Sequence, residues 1–223
     1  MNIIHGDCLE VMRGFADNQF DLVLTDPPYG IGIARLGTVR GCKDLSKSGA
    51  LKGFKKEKDY GNQDWDSGIP SKEVFEQIFR VSKNQIIFGG NYFTEYLPNS
   101  SCWLVWDKKE NAVNDFSDCE LAYTSFKKAV RKFTYGFTGF EGINNLRRDG
   151  EIKEHPTQKP LALMQWCLQK YSKRGDTILD PFMGSGTTLL AAKALGIDAT
   201  GIEINEQYCE IARRRLEQTS LFA

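Results

Sequence analysis

The segment Thr177-Ile178-Leu179-Asp180-Pro181-Phe182-Met183-Gly184-Ser185-Gly186-Thr187-Thr188 constrains the fold more than any other. An apolar run feeds a glycine turn, and the turn opens a helix. Glycine permits unusual dihedrals and lets a ligand approach the backbone closely. In open α/β sheets this junction lies at the carboxyl ends of the strands, where ligands bind. The dinucleotide fingerprint G-x-G-x-x-G fails, because Leu189 stands at its third glycine position. The phosphate loop G-x-x-x-x-G-K-[ST] fails for want of its lysine. The turn therefore suits a nucleoside without a phosphate requirement, although alone it also suits a plain tight connection.

The following apolar run, Ala199 to Ile204, supplies a second half. Its Glu203, next to Ile204-Asn205, falls roughly 20 residues beyond the glycines, where a carboxylate grips ribose hydroxyls. The alternative is an exposed strand-end carboxylate.

The same alternation runs along the chain. Strands are expected at Asn2 to His5, Phe20 to Thr25, Gln85 to Phe88, Trp103 to Trp106 and Glu120 to Thr124. Helices are expected around Leu9 to Phe15, Val74 to Val81, Leu161 to Tyr171, Thr187 to Leu195 and Glu206 to Glu217. Strands alternating with helices predict an α/β fold with a mainly parallel, doubly wound sheet. With 223 residues, 41% hydrophobic and 26% charged, the economical reading is one domain spanning 1–223. Two stretches break the pattern: a glycine- and lysine-rich loop over 33–68, expected to be mobile, and a loop-and-strand insertion over 107–154.

Asp26-Pro27-Pro28-Tyr29 closes the second strand and projects from the same sheet edge. The prolines cannot extend a central ladder. They also stiffen whatever acceptors they carry. An aromatic amino group is a poor nucleophile, because its lone pair is delocalised into the ring. The Asp26 carboxylate and the Pro27 carbonyl can accept its two hydrogens and favour a pyramidal nitrogen. Tyr29 offers a ring face for an unpaired base. A bare Pro-Pro turn explains the prolines, but not Asp26 and Tyr29.

These residues resemble a known family. Asp26 to Tyr29 matches the [DNS]-P-P-[YFW] motif of DNA amino methyltransferases, and Asp180 to Gly186 their cofactor motif. His155-Pro156-Thr157-Gln158-Lys159-Pro160 matches the element that commonly precedes it. The catalytic motif stands ahead of the cofactor motif, a permuted order similar to the beta class. The resemblance implies a Rossmann-like, S-adenosylmethionine-dependent methyltransferase sheet with one antiparallel strand. Asn2 to His5 would be its third strand. The cofactor candidates it implies are Asp7 and Cys8 near the adenine, and Thr157 and Lys159 near the methionine part. Asp180, Phe182, Gly184, Ser185, Gly186 and Thr187 would line the main pocket, Glu203 and Asn205 the ribose, with Asp26 between cofactor and base. Aspartate at the first motif position is typical of adenine N6 enzymes, so adenine flipped from double-stranded DNA is the expected substrate. Cytosine N4 methylation, and a DNA- or cofactor-binding module without catalysis, remain alternatives.

The formal net charge is zero, so local patches must argue for DNA. Arg35, Arg40 and Lys43 open a basic arm after the catalytic motif. Lys127, Arg131 and Lys132 interleave with aromatic residues, and Arg147-Arg148 follow in a polar loop. Such residues suit phosphates and exposed bases, though solvated loops look similar. The insertion over 107–154 is the expected target-recognition region, and its small size suggests a short target or a homodimer. Gln218-Thr219-Ser220-Leu221-Phe222 resembles the peptide that docks on bacterial sliding clamps; a frayed helix end is the plainer reading. With His5 and His155 as the histidines, no metal centre is expected. Met1 to Asp7 reads as an immediate strand, and no apolar run approaches membrane-spanning length. The expected location is the cytoplasm of a bacterial or phage-infected cell.

Overall fold

The computed structural model describes residues 1–31, 68–108, 117–136 and 158–218. Within them the strands are β1 (Asn2–His5), β2 (Phe20–Thr25), β3 (Ser82–Phe88), β4 (Trp103–Asp107), β5 (Cys119–Thr124), β6 (Arg131–Thr134), β7 (Thr177–Asp180) and β8 (Asp198–Glu203). The helices are α1 (Cys8–Arg13), α2 (Lys72–Val81), α3 (Leu161–Tyr171), α4 (Thr187–Ala194) and α5 (Glu206–Gln218). One eight-stranded sheet runs in the order β1-β8-β7-β2-β3-β5-β4-β6. Strands β1, β8, β7, β2 and β3 pair in parallel. β5 is antiparallel to both β3 and β4, and β6 is again parallel to β4. A single strand, β5, therefore runs against the rest, as the sequence resemblance implies. β1 takes the edge beside β8, the place of a third strand counted from β7.

The helices cover both faces. Successive side chains of a strand point to opposite sides. Leu22 and Leu24 of β2 accordingly join Ile86, Phe88 and the apolar residues of α3, α4 and α5 in one core. Val23 joins Ile87, Leu179, Ile202 and the apolar residues of α2 in the other. Val74, Phe75, Ile78 and Val81 recur at helical spacing and are all buried. Asp7 caps α1, its Oδ1 accepting from the backbone N–H of Leu9 (2.9 Å) and Glu10 (3.1 Å).

Three boundaries differ from expectation. α2 passes into β3 with no loop, so the strand begins at Ser82 rather than Gln85. β6 is a strand that the sequence reading does not place, because its residues are mostly exposed on the sheet margin and leave no apolar alternation to read. The span 107–154 contributes β5 and β6 to the main sheet, so those parts are core scaffold rather than insertion. Most of 33–68 lies outside the described residues. No helix among the described residues is long and apolar enough to cross a membrane.

The connections place the site. β7 leads through α4 to β8 on one side, whereas β2 leads on to β3 on the other. β2 and β7 are neighbours, with Val23 opposite Leu179. Their carboxyl ends therefore flank a topological switch point, where an open α/β sheet leaves a crevice.

Candidate active site

A cleft of about 790 Å3 opens at this switch point. Asp7, Cys8, Asp180, Phe182, Gly184, Ser185, Thr187, Glu203 and Asn205 all line it, and Asp26, Pro28 and Lys159 close one end. The expected cofactor residues are thus brought together, with two exceptions. Gly186 does not line the cleft; it turns at φ +80° against α5, where a Cβ would meet the Ala212 Cβ at 2.8 Å. Thr157 lies outside the described residues.

The glycine turn is tied down from three directions. Glu203 accepts from Gly184 N–H at Oε2 (3.0 Å) and from Asn205 N–H at Oε1 (2.8 Å). Arg215 of α5 donates to the Ser185 carbonyl (2.6 Å) and hydroxyl (2.9 Å). The Ser185 hydroxyl donates to the buried Gln158 (3.2 Å). Gly184 has φ +51°, and a Cβ there would meet nothing within 4 Å. The backbone is therefore open to a ligand at that point. Burial raises the Glu203 carboxyl above its ordinary value, while the backbone N–H groups pull it down. Burial also pushes the Cys8 thiol up to about 12, so it contacts the cleft as a neutral group.

Asp180 sits at the junction of the two halves. Its Oδ1 accepts from the Thr25 hydroxyl (2.7 Å) and from Phe182 N–H (3.1 Å). Burial pushes it up to about 6 despite those bonds.

At the catalytic end, Asp26 is engaged through both oxygens. Tyr29 donates its hydroxyl to Oδ1 (2.6 Å), and Lys159 Nζ donates to Oδ2 (2.5 Å). Lys159 also reaches Glu120 Oε2 (3.1 Å) and the Tyr29 hydroxyl (3.2 Å). Lys108 holds the other Glu120 oxygen at 2.8 Å. Burial raises the Asp26 carboxyl, with the Lys159 charge opposing it incompletely. Burial would lower Lys159, yet Asp26 and Glu120 hold it above its ordinary value. Burial disfavours the Glu120 charge as well, but Lys159 and Lys108 overcome it and bring the group to about 2.

The ring of Tyr29 is packed as well as anchored. Tyr92 lies parallel to it, with centroids 4.9 Å apart and planes 14° apart. Gly89 approaches it so closely that a Cβ would stand 2.1 Å from Tyr29 Cε1. Glu120, Lys108, Tyr92 and Gly89 escape the motif reading. The one local signal for Glu120 is an acid inside an otherwise apolar strand, Cys119-Glu120-Leu121-Ala122-Tyr123.

The expected DNA contacts are placed less evenly. Lys127, Arg131 and Lys132 are exposed. Arg131 pairs with Leu104 at the start of β4, and Thr134 with Asp107 at its end, so β6 runs from the far margin towards the cleft edge. Lys132 pairs with Asp107 at 3.0 Å. Arg35, Arg40, Lys43, Arg147 and Arg148 lie outside the described residues, as does the tail beyond Gln218. Among the described residues no group of acidic, cysteine and histidine side chains is placed to hold a metal ion.

An open α/β sheet with a glycine turn and an acidic strand end at its switch point defines a nucleoside-binding enzyme fold. Comparison with known proteins narrows the class. Residues 105–214 match the N6/N4 family model described as DNA methylase. The type II methyltransferase M.HpaI of Haemophilus parainfluenzae is 26% identical over 251 residues, covering 96% of this chain and 74% of that protein. The structure of the M1.HpyAVI-SAM complex has a TM-score of 0.57 at 22% identity, covering 96% of this chain and 98% of that one. The cytosine-N4-specific PvuII DNA methyltransferase has a TM-score of 0.58 at 15% identity, covering 96% and 85%. The family-model match and these relatives support membership of the N4/N6 DNA methyltransferase family.

Proposed function

We propose that this protein transfers a methyl group from S-adenosylmethionine to the N6 amino group of adenine in double-stranded DNA, with the base flipped out of the duplex, and that it is of the beta class. The observation that carries the reading is that Asp26 and Pro28 open into the same cleft as the glycine turn and Glu203. The donor set fits a nucleoside bearing an amino acid. Asp7 and Glu203 offer carboxylate oxygens, Gly184 opens its backbone, and Phe182 and Ile202 supply apolar surface. When bound, the cofactor supplies a methyl group already activated on a sulfonium.

The chain's own residues then orient the acceptor. Asp26 accepts one amino hydrogen and the Pro27 carbonyl the other, which frees the nitrogen lone pair. A carboxylate oxygen has two lone pairs, so Asp26 can accept this bond while still held by Tyr29. No covalent nucleophile is needed, because the task is placement of the nitrogen in line with the methyl. Asp26 must be ionised, and burial raises its titration above the ordinary aspartate value, so activity is lost as pH falls through that raised value. Base stacking falls to Tyr29 and its parallel neighbour Tyr92. DNA contacts are assigned to Lys127, Arg131 and Lys132, together with Arg35, Arg40, Lys43, Arg147 and Arg148.

Nucleoside mass spectrometry of DNA incubated with the protein and S-adenosylmethionine tests the reading. N6-methyladenine is expected, and Asp26→Ala removes it. N4-methylcytosine would reassign the substrate, and no transfer by the wild type would favour a binding module.

A further inference from the structure

Two lysines and two carboxylates cluster beside the end of the cleft that Asp26 and Lys159 close, although one pair would leave it neutral. Lys159, Asp26, Lys108 and Glu120 have side-chain exposures of only 6%, 18%, 15% and 18%. Burying a second ion pair is costly, and apolar residues of similar volume hold a fold at least as well. The extra pair therefore calls for an account beyond packing. Its geometry supplies one. Lys159 Nζ stands between two carboxylates, 2.5 Å from Asp26 Oδ2 and 3.1 Å from Glu120 Oε2. Glu120 reaches it because β5 runs backwards, which brings the first residues of that strand to the carboxyl edge, Cys119 opposite Asp107 and Glu120 opposite Trp106.

We propose that Glu120 is a positioning residue: it offers Lys159 a second carboxylate, so that the ammonium releases Asp26 Oδ2 when the amino group of the base arrives. Lys108, bound to the far oxygen of Glu120, sets how strongly Glu120 competes. This rests on the assignment of Asp26 as the amino-hydrogen acceptor. Without Glu120, Lys159 has no second carboxylate to turn to, and that oxygen stays capped. Without Lys108, Glu120 carries an unneutralised charge towards Asp26. Among the described residues, the titratable groups facing Asp26 are Lys159 ahead of α3, Tyr29 on its own segment, Glu120 on β5, and Asp180 at the end of β7. Lys108, following β4, bonds Glu120 at 2.8 Å.

The two variants therefore move Asp26 in opposite directions. Glu120→Gln leaves Lys159 to Asp26, so the acid limb of kcat moves to lower pH while kcat at neutral pH falls by at least about tenfold. The KM for S-adenosylmethionine stays within about twofold. Lys108→Met moves the same limb to higher pH. A structural role alone predicts no such opposition. The Asp26 carboxyl, followed by 13C NMR in the intact protein, should show the same two displacements without any need for turnover. A wild type that transfers no methyl would overturn the function proposed above, yet leave these NMR displacements to decide the role of Glu120. A limb and a resonance that do not move in Glu120→Gln, or that move the same way in both variants, would overturn the role. If Glu120→Gln does not fold, Lys108→Met decides alone: an upward displacement supports the role, and none overturns it.

Discussion

The Thr25 hydroxyl donates to Asp180 across 2.7 Å, and this bond ties the end of the strand that leads into Asp26-Pro27-Pro28-Tyr29 to the end of the strand that leads into the glycine turn. Both residues are buried, and both stand at the last position of their strands. Thr25→Val keeps the shape but removes the donor. Losing a buried bond to a charged group costs about 1.5–3 kcal/mol. Urea denaturation should show that loss. Asp180 should then titrate above its present value of about 6, and affinity for S-adenosylmethionine should fall at pH 7. An unchanged midpoint would mean that this bond contributes nothing to holding the two strand ends together.

Glu203 uses both oxygens to hold the turn, at 3.0 Å from Gly184 N and 2.8 Å from Asn205 N. A glutamine must turn its NH2 towards one of those N–H groups. A donor facing a donor in a half-buried site costs about 1–3 kcal/mol. Calorimetric titration of Glu203→Gln should show S-adenosylmethionine bound at least about tenfold more weakly. Affinity within twofold of wild type would remove Glu203 from the site.

Gly89 and Gly196 form a controlled pair. Both have positive φ, +68° and +65°, but a Cβ meets Tyr29 at the first and nothing within 4 Å at the second. Gly196→Ala should cost about 1–2 kcal/mol from the left-handed backbone alone, with turnover unchanged. Gly89→Ala adds a clash with the ring whose hydroxyl bonds Asp26. Turnover should fall about 100-fold, the scale set by small misplacements of reacting groups. Equal turnover in the two variants would show that Tyr29 needs no fixed position.

Glu120 makes a separate, equilibrium prediction. It titrates at about 2 in the folded protein against an ordinary 4.5. A depressed carboxyl stabilises the fold above its unfolded value and loses that contribution as pH falls through the folded one. Wild type should therefore lose up to ~3 kcal/mol between about pH 4.5 and 2 on this account. Acid unfolding followed by circular dichroism should be shallower in Glu120→Gln. Superimposable curves would mean that the charge is not held as the geometry implies.

Lys132 tests the DNA assignment. Its ion pair with Asp107 is 62% exposed on the lysine side, so Lys132→Ala should change stability by less than about 1 kcal/mol. If it binds a phosphate, the slope of log K against log salt should lessen by about 0.9. An unchanged slope would place the contact elsewhere.

The two motif-bearing strand ends were legible because their chemistry is local. Asp26 to Tyr29 and Asp180 to Gly186 are short, and each follows an apolar run that reads as a buried strand. The single reversed strand followed from the resemblance. What escaped was assembled by the fold across the chain. Glu120 and Lys108 meet Lys159 only after β5 doubles back beside β4. Gly89 reads as a turn residue, and nothing local says that Tyr29 packs on it. β6 hides for a different reason: Arg131 and Lys132 face solvent on the margin, so the strand lacks the apolar alternation that betrays the others. Gly186 shows a role that its motif position does not announce. Its motif position suggested a ligand contact, whereas its missing side chain makes room for Ala212.

The pairing of β4 with β5 is closed at its open end by two bonds of one residue. Lys108 N–H donates to the Asp118 carbonyl at 3.0 Å, and Lys108 Nζ holds Glu120 at 2.8 Å. Residues 109–116 are spanned by that clasp. Any change there that keeps both Lys108 bonds would leave the charges beside Asp26 in register.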